Sequence, residues 1–485
     1  MSAEMQARIA RMTVPFEGTM REAMQAVDRG ALGLALLVSP ASGRFMGVVT
    51  DGDLRRALLE GKGLEAPVSR ICRPNPTVGR VGMSAEQLAS LFSEAIRILP
   101  ILDDDERVVD LGVMDRRMRL PVAEPTVGER ELQYVNECVL TGWISSGGKF
   151  VSRFEEMFAA FCASRYAVAT SNGTTALHLA LLALGIGPGD EVIVPTLTFI
   201  ATANAVVYTG AVPVFADSEA ETWNIAPSAI EAAITARTKA IIPVHLYGHP
   251  ADMAAILDLA KRHGLAVIED AAEAHGARYQ GKPVGSIGDA GVFSFFGNKI
   301  VTTGEGGMLV TDDAEIADRA RLLRDHGMRP ERRYWHTVLG YNYRLTNLQA
   351  AVGVAQMEKI ESILKAKRDI AALYRSGLSG IAGLTLPPER DGAENVFWLY
   401  TVLVDEEEFG MGRDELMKAL AAHEVETRPV FYPVHTQPIY QTGQSLPVAE
   451  GISRRGLSLP SAANMLAGDV ERVCAVIRGA ARGGR

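Results

Sequence analysis

The stretch YAVATSNGTTALHLALLALG, residues 166–185, decides the fold class of most of the chain. Its short apolar start, the turn at SNG and the apolar run that ends at Gly185 predict a strand, a tight turn and a helix. The same order recurs from about residue 160 onward, where helical segments separate the apolar segments EVIVP, KAIIPVHLYG, AVIED and GVFSF. This alternation predicts an α/β domain with a mostly parallel central sheet.

The chain on either side of this region has a different character. After about residue 370, a long helical segment is followed by VFWLYTVLV, DELMKALAAHE and VETRPVFY, which predicts a small C-terminal α+β domain. The first 120 or so residues form two similar β-β-α units, an internal repeat that ends near the segment LPVAEPTVGERE at 120–131. We therefore predict domains at residues 1–122, 123–370 and 371–485.

Length, charge and cysteine spacing narrow the class of protein. A chain of 485 residues is long enough for several domains with cores of their own. A net charge of −9 without a basic block argues against nucleic-acid binding. The four cysteines form no CxxC pair, so neither a metal site nor a disulfide framework is expected. Because no apolar run is long enough to span a membrane and no signal peptide is evident, we expect a cytoplasmic protein with no membrane partner.

Two short stretches of the α/β region suggest ligand binding without proving it. In SNGTT, the backbone N–H groups of Gly173 and Thr174 and the Thr175 hydroxyl are placed to face an anion at the positive end of a helix dipole. The alternative is an ordinary turn with a threonine cap. Asp270 ends the apolar segment AVIED, and a carboxylate there needs a cationic or N–H partner to remain ionised. The alternative for Asp270 is a structural salt bridge or a helix cap.

The stretch FSFFGNKIVTTGEGG, residues 293–307, adds Ser294 and Lys299. It does not have the spacing GxxxxGK[ST] of a phosphate-binding P-loop, because Lys299 is preceded by Asn298 and followed by Ile300. A partly desolvated lysine can instead form a Schiff base with an aldehyde. Pyridoxal phosphate accounts for the three stretches together: Lys299 for its aldehyde carbon, Asp270 for its ring nitrogen, and the SNGTT turn with Ser294 for its phosphate.

Residues from about 125 to the C-terminus resemble the nucleotide-sugar aminotransferases of the fold-type I pyridoxal-phosphate superfamily, and within them the GDP-perosamine synthases. The resemblance rests on a series of motifs in the same order: TGWISSGGKFVSRFE, SNGTTALHLAL, GIGPGDEVIVPTLTFIATANAV, PVHLYG, VIEDAAEA, FSFFGNKIVTTGEGGM, RRYWHTVLGYNYRLTNLQAAVG and TRPVFYPVH. It implies a large domain with a mostly parallel sheet and a small C-terminal domain.

The resemblance implies a role for each matching residue. Lys299 would be the Schiff-base lysine and proton carrier, and Asp270 the partner of the cofactor ring nitrogen. The other implied cofactor ligands are Gly173, Thr174 and Ser294 at the phosphate, Phe199 over the ring, Glu273 near the ring, and Asn342 reaching the phosphate from the partner subunit of a homodimer. The residues implied to contact the sugar nucleotide are Trp143, Ser145, Ser146 and His435.

A lysine at position 299, where related sugar dehydratases have a histidine, implies transamination. The amino donor would be L-glutamate, which leaves as 2-oxoglutarate, and the acceptor GDP-4-keto-6-deoxy-D-mannose, which becomes GDP-perosamine. Two alternatives stay open: a UDP- or dTDP-linked keto sugar as acceptor, and a non-catalytic sensor that has kept the fold. The resemblance leaves an oligomer larger than a dimer open.

The repeat at residues 1–122 resembles a tandem pair of cystathionine-β-synthase-type (CBS) domains, which often bind adenine nucleotides. The first unit keeps the glycine, hydroxyl and aspartate of the ribose-phosphate signature in GVVTDGD, with Thr50 and Asp53 as the implied ligands. The second unit has no such residues in GVMDRRM, so at most one nucleotide site is expected. The alternative is that Thr50 and Asp53 only cap a helix. The module would regulate the enzyme, promote a higher oligomer, or serve stability and partner docking.

Overall fold

The computed structural model describes residues 9–30, 32–72, 76–83, 85–92, 96, 98–113, 120–329 and 331–482. The chain divides into two compact units, Met1–Arg119 and Leu120–Arg485. The predicted boundary after residue 122 lies close to this division. The predicted boundary after residue 370 falls inside a continuous helix, Ile360–Leu378. The division into three domains therefore stays a prediction.

The first unit contains two three-stranded sheets of the same topology. One consists of β1 (Thr13–Pro15), β2 (Leu34–Val38) and β3 (Phe45–Thr50), with helices α1 (Met20–Gly30) and α2 (Asp51–Leu59). The other consists of β4 (Gly79–Arg80), β5 (Ile98–Leu102) and β6 (Val108–Val113), with helix α3 (Ala85–Ser90). In each sheet the middle strand pairs parallel with the first strand and antiparallel with the third. This shared topology agrees with the predicted internal repeat.

The strand pairing also supports the predicted difference between the two repeats. Thr50 pairs with Leu34 at the end of the first sheet, and Val113 pairs with Ile98 at the same place in the second. A valine therefore stands where the first repeat has the threonine of its signature. The helix that the sequence predicts after β6 falls on residues 114–119, outside the described part of the chain.

The second unit is built on a seven-stranded central sheet. Its strands are β7 (Tyr166–Thr170), β8 (Glu191–Pro195), β9 (Val212–Ala216), β10 (Thr238–Ile241), β11 (Ala266–Asp270), β12 (Ala290–Ser294) and β13 (Gly307–Thr311). They lie in the order β7-β13-β12-β11-β10-β8-β9, and β13 runs antiparallel to the other six strands. The predicted mostly parallel sheet is confirmed.

Helices cover both faces of this sheet. They are α4 (Glu129–Thr141), α5 (Lys149–Phe161), α6 (Gly173–Ala183), α7 (Ala201–Tyr208), α8 (Pro227–Ala233), α9 (Met253–His263), α10 (Ala314–Arg324) and α11 (Asn347–Met357). Alternate side chains of β12 enter different apolar cores, since Val292 packs in one cluster and Phe293 in another. Burial on both faces explains why the strands read as continuous apolar runs rather than as alternating ones.

The C-terminal part forms a smaller α+β arrangement, as predicted. The long helix α12 (Ile360–Leu378) leads into an antiparallel sheet of β14 (Leu384–Thr385), β15 (Tyr400–Val404), β16 (Arg428–Pro429) and β17 (Gly456–Leu459). The remaining helices are α13 (Glu406–Phe409), α14 (Arg413–Ala421), α15 (Pro447–Arg455) and α16 (Ala467–Arg482). The short strands Arg278–Tyr279, Lys282–Pro283 and Ala393–Glu394 form a separate sheet.

Strand register brings the predicted site residues to one edge of the central sheet. Gly307 of β13 pairs with both Thr170 and Ser294, and Asp270 pairs with Val292. The carboxyl ends of β7, β11 and β12 therefore lie side by side, where open α/β sheets bind ligands. Among the described residues, no helix is long and apolar enough to cross a membrane, and no cluster of three or more potential metal ligands occurs.

Candidate active site

Asp270 is a buried carboxylate at the end of β11. Thr202 Oγ1, on helix α7, donates to one carboxylate oxygen at 2.7 Å, and the Ala272 N–H donates to the other at 3.2 Å. Burial raises the pKa of Asp270, while the hydrogen bond from Thr202 and the nearby charge of Lys299 oppose that rise. An acidic group held in this way suits a protonated ring nitrogen.

Lys299 lies in the turn after β12, with its amine between a carboxylate and an aromatic ring. Its Nζ is 3.6 Å from Glu273 Oε1 and 3.7 Å from the centroid of the Trp398 ring. The side chain is 11% exposed. Burial lowers the pKa of Lys299, and the carboxylates of Glu273 and Asp270 oppose that change. A lysine with a lowered pKa in a partly closed site suits nucleophilic and proton-transfer chemistry.

Glu273 is held in place by an unusual backbone turn. The Tyr247 N–H donates to Glu273 Oε2 at 2.8 Å, and Tyr247 has a positive φ of 53°, which is uncommon for an aromatic residue. The Tyr247 hydroxyl accepts a hydrogen bond from the Phe431 N–H at 3.1 Å, which fixes the other end of the side chain. Burial raises the pKa of Glu273 to about 7, against the opposing charge of Lys299. Lys299 thus faces a carboxyl group that can gain or lose a proton near neutral pH.

The turn at SNG lies directly against Ser294. A β-carbon added to Gly173 would lie 2.9 Å from Ser294 Cβ, and one added to Gly307 would lie 2.4 Å from the carbonyl carbon of Asn172. Within the described part of the chain, the N–H groups of Gly173 and Thr174 donate no hydrogen bond to a protein acceptor. Two N–H groups and a serine hydroxyl in this arrangement can receive an anion at a helix N-terminus.

The sequence predicts that the Thr175 hydroxyl faces this cradle, but in the structure the hydroxyl is bonded within its own turn. It donates to the Asn172 carbonyl at 2.8 Å and accepts from the Asn172 N–H at 3.2 Å. Asn172 Oδ1 in turn accepts from the Thr175 N–H at 2.9 Å, which completes a capping box. These contacts make Thr175 the third residue of a helix whose N-cap is Asn172, which favours the alternative of an ordinary helix cap over a ligand contact.

Phe199 stands at the open side of the site. Its side chain is 57% exposed, and its ring lies 5.9 Å from that of Phe431. The row of aromatic rings continues through Tyr247, 5.3 Å from Phe431, to Trp398, 6.2 Å from Tyr247. An exposed aromatic at the end of a buried row has a free face for a planar ligand.

The loops GWISSGG and GYNYRLTN lie together in the same unit. Arg344 Nε donates to Ser146 Oγ at 3.1 Å, and the Asn347 N–H donates to the Ser145 carbonyl at 2.9 Å. Trp143 is 62% exposed, and Asn342 is exposed as well. The structure therefore groups three of the residues predicted to contact the sugar nucleotide with the loop that carries Asn342.

His435 has a different environment from these residues. It is buried, its Nδ1 lies 2.7 Å from Thr196 Oγ1 and its Nε2 lies 3.3 Å from Glu450 Oε1. Both ring nitrogens already have protein partners. The prediction that His435 contacts the sugar nucleotide thus gains no support from its hydrogen bonds.

In the first unit, Thr50 and Asp53 form a helix cap. Thr50 Oγ1 accepts from the Asp53 N–H at 3.2 Å, and Asp53 Oδ2 accepts from the Thr50 N–H at 3.0 Å. Arg56 Nη2 also donates to Asp53 Oδ1 at 2.5 Å. These contacts agree with the alternative that Thr50 and Asp53 cap a helix. A nucleotide bound there would compete with Thr50 and Arg56 for the Asp53 carboxylate.

Sequence reasoning missed three residues of the site. Thr202 supports Asp270, Tyr247 supports Glu273, and Trp398 contacts Lys299. The only signal for Thr202 was its place in TLTFIAT, next to Phe199. Tyr247 and Trp398 lie in PVHLYG and VFWLY, where nothing local marks a ligand contact.

Comparison with known proteins agrees with this site. The family model of the DegT/DnrJ/EryC1/StrS aminotransferases matches residues 125–478, and a CBS domain model matches residues 8–60. The GDP-perosamine synthase of Caulobacter vibrioides is 50% identical over 362 residues, which are 74% of this chain and 97% of that protein. The GDP-perosamine synthase of Escherichia coli O157:H7 is 49% identical over 356 residues, 73% of this chain and 96% of that protein.

A solved structure of DesI in the presence of its TDP-sugar product has a TM-score of 0.71 and 35% sequence identity, covering 76% of this chain and 94% of that one. Family match, relatives and fold agree with the pyridoxal-phosphate site expected from Lys299, Asp270 and the SNGTT turn. The chain belongs to the DegT/DnrJ/EryC1/StrS family of pyridoxal-phosphate-dependent sugar aminotransferases and has a CBS domain ahead of its aminotransferase portion.

Proposed function

We propose that this aminotransferase transfers the amino group of L-glutamate to the keto carbon of GDP-4-keto-6-deoxy-D-mannose and so forms GDP-perosamine. The observation that carries the chemistry is the position of Lys299 Nζ, 3.6 Å from Glu273 at the ligand-binding edge of the sheet. The choice of sugar rests on relatives, because the chain spans 97% of a GDP-perosamine synthase at 50% identity.

The residues present fit pyridoxal 5′-phosphate. We expect the phosphate against the N–H groups of Gly173 and Thr174 and the Ser294 hydroxyl, because a side chain at residue 173 would fill that cradle. Asp270 would face the ring nitrogen, and the exposed Phe199 would lie over the ring. When bound, the cofactor supplies a ring that withdraws electrons from the reacting carbon.

Lys299 Nζ carries the proton in both half-reactions. In the first, the neutral amine takes a proton from Cα of glutamate, and its lowered pKa favours that form. The carboxylate of Glu273 stabilises the ammonium form once the proton is taken up. In the second, Lys299 Nζ delivers a proton to C4 of the sugar. Glutamate leaves as 2-oxoglutarate with uptake of one water, and the keto oxygen of the sugar leaves as one water.

Trp143, Ser145 and Ser146 are the proposed contacts to the sugar nucleotide. Trp143 is exposed, and Ser146 is tied to Arg344 of the neighbouring loop, so the segment is both accessible and ordered.

Turnover with GDP-, UDP- and dTDP-linked 4-keto-6-deoxy sugars, each with L-glutamate as donor, tests the proposed acceptor. We expect the GDP sugar to give the highest kcat/KM. The second candidate is a dTDP-linked acceptor, which the likeness to DesI favours, since that structure contains a TDP-sugar product at 35% identity. A higher kcat/KM with the dTDP sugar would replace the proposed substrate by this one.

A homodimer is the proposed active unit. Large apolar side chains are exposed on the aminotransferase unit, among them Leu140 (86%), Tyr334 (74%) and Leu339 (87%). Surfaces that meet another protein carry contiguous apolar patches, and we propose that these side chains belong to such a patch. Asn342, also exposed, would then reach the cofactor phosphate of the partner subunit.

For the CBS domain we propose an adenine nucleotide as ligand, bound near Thr50 and Asp53, with an effect on the aminotransferase. Titration of ATP, ADP and AMP against both melting temperature and turnover tests this. A shift in melting temperature with one nucleotide supports binding, and a parallel change in turnover supports regulation. No change in either would favour the docking or stability role.

A further inference from the structure

A buried lysine that the reaction does not use lies on the far side of Trp398. Lys367, on helix α12, is 5% exposed, and its Nζ donates to the Trp398 carbonyl at 2.9 Å and to the Ser461 carbonyl. No carboxylate forms an ion pair with it among the described residues. Burying an amine without a counter-ion is costly, so the neutral form is favoured, and burial lowers the pKa of Lys367 to about 7.

Trp398 holds Lys299 at two points. The indole Nε1–H donates to the Asn298 carbonyl at 2.7 Å, which is the peptide group immediately before Lys299. The face of the same indole lies 3.7 Å from Lys299 Nζ. One side chain therefore fixes both the backbone and the amine of the lysine, and its ring face favours the charged amine.

Both the backbone and the ring of Trp398 are held in turn by other residues. Its carbonyl accepts hydrogen bonds from Lys367 Nζ and, at 3.2 Å, from Ser461 Oγ. Its ring stacks on Tyr247 with an interplanar angle of 17°. Lys299, Lys367, Asn298 and Trp398 also line one small cavity of about 20 Å³.

We propose that Trp398 and Lys367 are positioning residues for the transamination: Trp398 sets the place and the charge state of Lys299 Nζ, and Lys367 acts through Trp398 by fixing its backbone. The inference rests on the proposed role of Lys299. It adds Trp398, from the segment just before β15, and Lys367, from α12, to a site otherwise built at the edge of the central sheet.

The charged and titratable groups near Lys299 also influence whether its amine is protonated. Glu273 and Asp270 favour the charged amine, and Arg428 disfavours it. His275 is buried among aromatic rings, which lowers its pKa to about 3 and keeps it neutral. Trp398 supplies an uncharged stabilisation of the ammonium form that persists when Glu273 is protonated.

The test is the titration of the Lys299 amine in the cofactor-free protein. Trace acetylation at a series of pH values, followed by mass spectrometry of the peptide that contains Lys299, gives the pKa of that one amine. Loss of the ring face in Trp398→Leu should lower this pKa by about one unit. Trp398→Phe keeps a weaker face and loses the bond to Asn298, so a smaller fall is expected. If the leucine variant does not fold, the phenylalanine variant gives the answer.

Lys367→Met should lower the pKa of Lys299 in the same direction, by less than Trp398→Leu. Because Lys367 acts through Trp398, the double variant should show no fall beyond that of Trp398→Leu alone. The matched control is Tyr374→Phe. It removes another buried donor of α12, the Tyr374 hydroxyl, which donates to the Pro460 carbonyl at 2.8 Å and does not contact Trp398. This control should lose stability and leave the Lys299 titration unchanged.

An unchanged pKa of Lys299 in Trp398→Leu, Trp398→Phe and Lys367→Met, with only a lower melting temperature, would overturn the inference. So would a shift in Tyr374→Phe as large as that in Lys367→Met. The proposed role of Lys299 itself fails by a separate result, namely a Lys299→Ala protein that keeps the cofactor absorbance band and its bleaching by glutamate.

Discussion

Gly173 packs so closely on Ser294 that a β-carbon at residue 173 would lie 2.9 Å from Ser294 Cβ and 3.3 Å from Ser294 Cα. The two residues come from different strand ends, β7 and β12, which β13 holds together by pairing with both. The absence of a side chain at residue 173 thus brings two N–H groups and a hydroxyl into one cradle.

The first prediction concerns this cradle. Gly173→Ala should weaken cofactor binding about ten- to a hundredfold, because the new methyl group must displace Ser294 and overpacking of this kind costs roughly 1–3 kcal/mol. The measurement is titration of the cofactor-free protein with pyridoxal phosphate, followed by absorbance. Gly468→Ala, at a helical glycine whose β-carbon would meet no atom within 4 Å, is the control. Equal affinity of the two variants would contradict the assigned phosphate site.

The second prediction concerns the support of Asp270. Thr202→Val removes the hydroxyl that donates to Asp270 at 2.7 Å and keeps the shape of the side chain. Since hydrogen bonds to charged groups contribute about 1.5–3 kcal/mol, turnover should fall about ten- to a hundredfold. Thr198→Val is the matched control, because Thr198 Oγ1 contacts Thr202 Oγ1 at 3.0 Å and not Asp270. Thr198→Val should lower turnover by less, and unchanged turnover in Thr202→Val would show that Asp270 does not depend on this bond.

The parts of the fold that could be predicted are those set by local sequence. The apolar segments at 166–170, 266–270 and 290–294 are strands of the central sheet because they are buried on both faces. Their carboxyl ends lie together because the strands are parallel. Parallel strand direction is therefore sufficient to predict that Asp270 and Ser294 lie at one edge, and no side-chain contact is needed for that prediction.

The contacts that could not be predicted come from distant segments and uncommon backbone. Trp398 reaches Lys299 from a segment about 100 residues later in the chain, and no periodic pattern marks it. Tyr247 aims its N–H at Glu273 only because its φ is 53°, a conformation that an aromatic side chain gives no reason to expect. Thr175 was assigned to the ligand because a capping threonine and a ligand-binding threonine look the same in sequence.

The third prediction concerns the partner subunit. If Asn342 reaches the cofactor of the partner subunit, Asn342→Ala and Lys299→Ala proteins are each defective, but a mixed dimer has one site with both residues intact. Random reassociation should then restore about a quarter of wild-type turnover, since half of the dimers are mixed and each has one of two sites. Size-exclusion chromatography checks that dimers reform. Turnover no higher than the sum of the separate variants would place Asn342 in its own subunit's site or outside any site.

The fourth prediction is a pH dependence of stability that comes from Lys367. Burial lowers the pKa of Lys367 to about 7 in the folded protein, below the value of 10.5 that is usual for a lysine exposed to water. Between these values the unfolded chain binds one more proton than the folded one, so the contribution of Lys367 to stability rises with pH across this range. It is lost as pH falls from about 10.5 to about 7 and changes little below that. The free energy of unfolding of the wild type relative to Lys367→Met should therefore increase by up to about 1.4 kcal/mol per pH unit within this window.

Urea unfolding at pH 6, 7.5 and 9 measures this slope. Lys365→Met is the control, because Lys365 lies on the same helix, is 77% exposed and pairs with Asp369 at 2.6 Å, so it has water around it in both states. The difference between wild type and Lys367→Met should grow from pH 6 to pH 9, and the difference for Lys365→Met should stay nearly constant. A flat difference for Lys367→Met would mean that the buried amine keeps its proton, which would require a counter-charge beside Lys367 rather than the two carbonyls that it contacts.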